Sequence, residues 1–462
     1  MKGISAKNFV VIALAVVVGA VISFVPPFDG VSPQGMRYMG IFLGMIIILV
    51  FDALPSWAAC LLGMGLMVLT SVAPVTQVFA SFSSSLVWLL IGVFAMTIGI
   101  QNSGLLTRIA LKLLTVFPKN YLGQVLSMMA IGLVVNPIIP SNAAKTNLII
   151  PLATDMTEQV GYKERSKPAL GLFSAMFMPA SIGSNAFVTG SAYAIFMMGV
   201  MGVTFSFGEW FSMASIWWVC IIVGTFIWCM TYCKPKEKLD LPQGYFEQKL
   251  KELGRMSFQE KVVALVLVFC LVCWIGNWFD ACTVSLIATV VMVMFGIIGK
   301  GDINTRMPWG LVIFIASIMS LSNLTSAESL GVSAWLASVL APVVQPLLVN
   351  IWVLVPALLV ITWVLRFFIP AQGVVLVLVF SAFAPFLGDA GISPFVVCFV
   401  EYMGGFVWFT AFMAPLVMGS LAVAGNKYVT IKEASKSSWA FAAMCMVGML
   451  ASIPLWQVLG LC

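Results

Sequence analysis

Two basic residues stand where the sequence should exclude them. Lys145 lies in "VVNPIIPSNAAKTNLIIP" (134–151) and Arg366 in "LRFFIPAQGVV" (365–375), stretches otherwise as apolar as membrane spans. A cation at bilayer depth costs about 3 kcal/mol or more. Each sits beside a proline that breaks a helical run, Pro140 before Lys145 and Pro370 after Arg366. A helix resuming after such a break exposes its first N–H groups, whose dipole amounts to roughly half a positive charge. Ser141 and Asn142 are good caps for that helix, and Lys145, one turn further in, adds a full charge that the dipole disfavours. Something negative should offset it. The second break, Ala371-Gln372-Gly373, offers bare backbone and one amide. Two cations and two helix starts facing one midplane cavity would make an anion site, and paired charges suit a doubly negative solute such as a dicarboxylate. The competing reading has Lys145 snorkelling to the inner surface.

Two further segments have polar, glycine-rich centres inside apolar spans: "SIGSNAFVTGSA" from Ser181 and "YMGGFVWFTAFMAP" from Tyr402. Their hydroxyls, with the hairpin residues, give a candidate substrate set of Ser141, Asn142, Lys145, Thr189, Arg366, Gln372, Gly373 and Thr410. Unwound carbonyls beside the breaks can ligate Na⁺ as a coupling ion, which gives Ser141, Asn142, Gly183, Ser184, Gly404 and Gly405 as candidate ligands. Many such small residues serve only close helix packing. Glu401 is the one acid near mid-span. It either pairs with Arg366 or exchanges a proton, and pairing is the favoured reading.

These residues need a scaffold, and composition defines its class. Hydrophobic residues make up 61% of the 462 and charged ones only 9%, against about 25% charged in a soluble domain. Apolar runs of 18 or more recur along the chain, each long enough to cross a hydrocarbon core about 30 Å thick. No period-2 alternation supports a barrel. The expected fold is an all-α polytopic membrane protein with eleven spans, near 9–25, 38–54, 56–72, 84–102, 168–202, 214–232, 261–279, 282–299, 308–324, 393–424 and 436–458. The first is read as an uncleaved span, since no A-x-A site follows it. Segments of about 121–158 and 350–388 are too long for one simple crossing and broken at the centre. They are read as re-entrant hairpins, whose irregular backbone is satisfied by protein or a wet cavity.

With the N-terminus inside and both hairpins turning back, 20 of the 23 Lys and Arg fall on the inner side. Only Arg37 is outside, and Lys145 and Arg366 stay at depth, as the positive-inside rule requires. The C-terminus then lies outside a cell membrane. The net charge of +6 belongs to inner loops and leaves no nucleic-acid face. The chain divides into a first helix (1–30), a first repeat (31–232), a cytoplasmic linker (233–260) and a second repeat (261–462). The halves share an order of unlike elements: a span opened by Trp88 or Trp309, an amphipathic helix after Gly104 or Gly331, a hairpin, then a broken span. Each holds an odd number of crossings after the first helix, so the copies lie inverted. Inverted repeats with broken helices at the midplane are the build of secondary transporters.

At these residues the chain resembles the divalent-anion/sodium symporter family, especially its bacterial citrate, succinate and tartrate antiporters and the plastid 2-oxoglutarate/malate translocator. The family's first hairpin reads Pro-Ser-Asn-Thr-Ala-Arg, and here it is "PSNAAK", with Ser141 and Asn142 matched, Ala143 for Thr and Lys145 for Arg. Trp309, Gly331, Trp335 and "GGFVWFTAFMAPLVMGS" also fit family patterns. The resemblance implies an elevator-type homodimer in the lipid bilayer, with a carboxylate held between the hairpin tips and a sodium beside each. The second hairpin departs from the pattern: Ala371, Gln372 and Gly373 replace Ser/Asn and Thr, and Arg366 occupies a position often aromatic or His.

The expected function is therefore secondary transport of organic di- or tricarboxylates, by Na⁺ symport or anion exchange, with no tightly held cofactor. Sulfate or another inorganic anion is an alternative cargo. A cation/proton antiporter would show buried Asp pairs, and no clear pair stands among the 17 acids. An enzyme would need Ser141 and Lys145 as nucleophile and base, which leaves the internal inversion unexplained. With no His, a His-ligated metal and a Ser-His-Asp triad are excluded. The "CLVC" at Cys270 to Cys273 has redox spacing but lies mid-span, where small core cysteines are the usual case.

Overall fold

A computed structural model describes residues 5–237 and 239–462. Lys2 and Lys238, two of the inner-face charges, lie outside the described residues. The described chain is helical, without strands. Seven helices are at least 18 residues long and apolar enough to span, among them Ala6–Phe24, Pro33–Val50, Ser85–Ser103 and Phe207–Thr231.

Local chemistry sets where helices begin. Two expected spans start earlier than hydropathy suggests, at Phe207 rather than 214 and at Ile431 rather than 436. Capping boxes are the reason. Ser206 N–H donates to Glu209 Oε2 at 2.8 Å while its hydroxyl accepts from Glu209 N–H, and Thr430 N–H donates to Glu433 Oε2 at 3.1 Å. Polar residues thus carry both helices past their apolar runs.

The first three helices, Ala6–Phe24, Pro33–Val50 and Ser56–Leu69, pack together. Small residues permit a close approach: a Cβ on Gly44 would stand 2.8 Å from the Ala15 carbonyl oxygen. Ala15 is the only buried residue of the first helix, so its remaining surface faces outward. By contrast, every residue from Phe395 to Gly404 is buried. The deepest core therefore surrounds a broken span. Cys270 and Cys273 are buried and unbridged.

Each expected hairpin segment is a pair of helical arms meeting at a proline break. The first has an inbound arm, Tyr121–Val135, and a return arm, Asn142–Val160. The second has Ile351–Phe368 and Gln372–Leu387. The expected linker also carries structure, a short amphipathic helix Tyr245–Glu252. Lys119, just before the inbound arm, pairs with Glu247 at 2.9 Å, and Lys249 pairs with Asp155 of the return arm at 2.6 Å. One helix thus holds both ends of the first hairpin, so the chain leaves on the face by which it came. Tyr162 closes the base, donating to Gln124 Oε1 at 3.0 Å. The Lys119 ammonium beside Glu247 holds that carboxyl below the usual range.

The two broken spans unwind where glycines and polar residues cluster. The first runs Lys167–Phe177, a π turn Met178–Ile182, 3₁₀ turns Gly183–Ala186 and Val188–Gly190, then Ala192–Met201. The second runs Pro394–Gly404, non-helical backbone, a 3₁₀ turn Ala411–Met413, then Pro415–Val423.

Candidate functional site

The first hairpin tip is stitched to the first broken span. Its return arm begins at Ser141, in extended backbone, whose hydroxyl accepts from Ala144 N–H at 3.2 Å. Asn142 Oδ1 accepts from Ser184 Oγ at 3.2 Å, Thr189 Oγ1 donates to the Pro137 carbonyl at 2.9 Å, and Ala192 N–H donates to Pro140 at 3.1 Å. Proline carbonyls lack helical donors at this bend, and the broken span supplies them. Lys145 completes the set. Its side chain is 0% exposed and its Nζ donates to the Gly190 carbonyl at 2.6 Å. Around it, Asn136 Oδ1, Asn185 Oδ1 and Ser181 Oγ are buried without partners.

The second tip repeats the device with different chemistry. Arg366, 2% exposed, donates through Nη1 to the Ile369 carbonyl at 3.2 Å and to that of Pro370, and through Nη2 to Met413 at 2.7 Å. Gln372 Nε2 donates to the Tyr402 carbonyl at 2.5 Å, and Trp363 Nε1 to that of Gly404 at 3.1 Å. Gly405 makes room for that amide: a Cβ there would stand 2.7 Å from Gln372 Nε2. In each half, a hairpin cation serves a carbonyl of its own broken span.

A cavity of about 490 Å³ lies against the second tip. Arg366, Gln372, Gly373 and Gly405 line it, with Tyr193 from the first broken span and Tyr402, Phe406 and Trp408 from the second. Trp57 of the Ser56–Leu69 helix and Phe314 of the Trp309–Thr325 helix form the far wall. Arg366 is the only charged residue among these walls.

Several expectations change here. Lys145 does not line the cavity with Arg366, because the Gly190 carbonyl takes its ammonium; the other first-tip residues, Ser141, Asn142, Gly183, Ser184 and Thr189, also lie outside the cavity walls. Thr410 is exposed and off the cavity. Glu401 is 0% exposed, yet makes no ion pair with Arg366 within 4.0 Å, and neither carboxyl oxygen has a partner. The guanidinium is instead taken by tip carbonyls three and four residues along its own chain. At the second broken span the Gly404 carbonyl accepts from Trp363 Nε1, and Gln372 fills the space beside Gly405. Sequence reasoning missed the aromatic wall of Tyr193, Phe196, Phe314, Tyr402 and Phe406; adjacency to the polar breaks was the one signal for all of these but Phe314.

Fold and site together define a polytopic membrane transporter with its cavity built from broken helices, not an enzyme. The chain belongs to the family described as the sodium:sulfate symporter transmembrane region, whose family model matches residues 6–462. The Bacillus subtilis (strain 168) protein YflS, named for malate transport, is 27% identical over 354 residues, covering 72% of each chain. The L-tartrate/succinate antiporter of Escherichia coli (strain K12) is 24% identical over 384 residues, covering 76% of this chain and 77% of its own. The solved structure of MtrF from Neisseria gonorrhoeae shares the fold at a TM-score of 0.57 and 15% identity, over 99% of this chain and 95% of that one.

Proposed function

We propose that this protein moves organic carboxylate anions across the cell membrane by exchange, without sodium. The observation that carries the reading is Arg366: a buried guanidinium, the sole charge in the wall of the cavity. Guanidinium groups match carboxylate geometry, and the relatives above are named for malate, tartrate and succinate. Sulfate fits less well, since its four oxygens need several donors and the wall is mostly apolar.

The absence of sodium coupling rests on the two tips. At the first, Asn142 and Ser184 supply oxygens of the kind sodium takes, and Ser141 and Gly183 stand beside them. The Lys145 ammonium is already in place, hydrogen-bonded to Gly190. At the second, the carbonyls of Ile369, Pro370 and Met413 accept from Arg366. Each tethered cation does the neutralising that a bound sodium would do. The antiporter relative supports exchange as the mode.

The same reading makes the chain an inverted repeat, N-terminus cytoplasmic and C-terminus outside, as the 20-to-1 distribution of basic residues supports. The hairpins and broken spans move past the Ser56–Leu69 and Trp309–Thr325 helices in an elevator motion. The outward-facing first helix serves lipid or the second copy of a homodimer. A thermal-shift panel of mono-, di- and tricarboxylates and sulfate, in sodium or choline buffer, tests the function. Stabilisation follows mass action, about 2.7 kcal/mol at a hundred times Kd. Any stabilising anion then enters a counterflow assay in proteoliposomes. Sodium-independent, trans-stimulated uptake is expected. Strict sodium dependence overturns exchange, and melting shifted by cations alone overturns the anion reading.

A further inference from the structure

We infer that the carried anion bears a single carboxylate on an aromatic body, unlike the small dicarboxylates for which the relatives are named. The inference rests on the carboxylate reading and narrows it. Charge count comes first. Arg366 is the only formal charge in the wall, because the second buried cation, Lys145, lies elsewhere with its ammonium on the Gly190 carbonyl. A second carboxylate would be desolvated among aromatic rings with no cation to meet it, and an unpaired buried charge is strongly disfavoured.

Shape and chemistry of the wall come second. The cavity volume of about 490 Å³ falls within the range of pockets that enclose drug-sized ligands. Its rings form a connected set: Tyr193 to Tyr402 at 5.2 Å between centroids, Tyr193 to Phe406 at 5.8 Å, Phe196 to Tyr402 at 6.2 Å and Phe196 to Phe314 at 6.3 Å. These separations are those of favourable tilted and edge-on pairs, so a further ring can join them. The carboxylate end is also provided for. Tyr193 and Tyr402 line the same cavity as Arg366, and neither hydroxyl has a protein partner among the described residues. Two hydroxyls and a guanidinium in one wall give one carboxylate its donors, among the rings.

The test uses the purified full chain, measuring affinity by calorimetry and transport by counterflow in proteoliposomes. The probes are phenylacetate, 3-phenylpropionate and indole-3-acetate, against succinate, tartrate and citrate, with phenylacetamide as the uncharged control. At least one aryl acid is expected to bind about tenfold or more tighter than any di- or tricarboxylate, and to drive counterflow, while the amide does neither. Phe196→Ala and the volume-sparing Phe196→Leu are each expected to weaken the aryl acid about tenfold, the scale of one lost ring pair. Tighter binding of succinate, tartrate or citrate overturns this inference and leaves the carboxylate function standing. Wild-type aryl affinity in the Leu variant also overturns it. Failure of every carboxylate to bind overturns the function itself.

Discussion

Lys145→Met separates the tethered-cation reading from a structural one. The substitution keeps all but the last atom's length of the side chain and removes its charge. It strips the Gly190 carbonyl of its 2.6 Å donor, and a buried acceptor left unsatisfied costs about 1–3 kcal/mol. It also removes a fully buried ammonium, whose placement at membrane depth costs about 2.5–3.5 kcal/mol on insertion scales. The two nearly cancel, so the melting temperature in detergent should change little and can rise. Were Lys145 instead half of a buried ion pair, the loss would be about 3–5 kcal/mol. The functional change should be larger. The vacated site keeps the Gly190 carbonyl, and the same tip carries the Asn142 Oδ1 and Ser184 Oγ pair, so the variant should bind sodium. Thermal melts in NaCl against choline chloride read this directly: sodium should stabilise Lys145→Met and not the wild type. Equal sodium stabilisation of both proteins, or a large loss of stability that sodium does not restore, would refute the reasoning.

Arg366→Gln should abolish carboxylate uptake while the purified protein keeps its wild-type elution on gel filtration; Arg366→Lys should not restore uptake, because an ammonium lacks the fork that reaches Ile369, Pro370 and Met413 together. Full transport by either variant would count against the guanidinium. Glu401→Gln should leave stability within about 1 kcal/mol of wild type or raise it, since an isosteric amide replaces a carboxyl with no partner to lose; thermal unfolding checks it, and a loss of 3 kcal/mol or more would expose a hidden ion pair. The linker helix should release in acid. Glu247 has its carboxyl held down by Lys119, so its contribution is full above the ordinary Glu range and disappears as pH falls through the lowered value. Limited proteolysis between Cys233 and Glu260 should therefore accelerate below about pH 4, and Glu247→Gln should give fast cleavage already at pH 7.

The hairpins were legible because a proline beside polar residues, inside an apolar run too long for one span, has few other outcomes in a membrane. The unwinding of "SIGSNAFVTGSA" and "YMGGFVWFTAFMAP" was legible for the same reason. Side-chain partners were harder. The acceptors of Lys145 and Arg366 are backbone carbonyls, which every residue carries, so no sequence signal distinguishes Gly190 or Met413. Pairing of Glu401 with Arg366 followed from charge alone and ignored the backbone: the carbonyls of Ile369, Pro370 and Met413 take the guanidinium. The aromatic wall was hidden because Tyr193, Phe196 and Phe406 look like ordinary packing residues in an apolar span. The linker helix was hidden by its charge, which reads equally well as a solvated loop until Asp155 and Lys119 are placed beside it.

The arrangement of donors also bears on movement. Lys145 to Gly190 and Arg366 to Met413 are hydrogen bonds from cations, roughly twice as strong as neutral ones, and each joins a hairpin tip to the broken span of its own half. Gln372 adds a third tie, from a neutral amide, to Tyr402. Across the cavity, among the described residues, no side-chain hydrogen bond links either hairpin to the Ser56–Leu69 or Trp309–Thr325 helices; Trp57 and Phe314 meet the opposite wall only as apolar surface. Apolar surfaces can slide because their contacts are non-directional, whereas charge-assisted bonds in a dry interior resist separation. One neutral hydrogen bond, Ser322 Oγ to the Val200 carbonyl at 3.0 Å, joins the Trp309–Thr325 helix to the first broken span; on the proposed elevator reading it must break, and an anion seated on Arg366 would travel with the tips rather than between them.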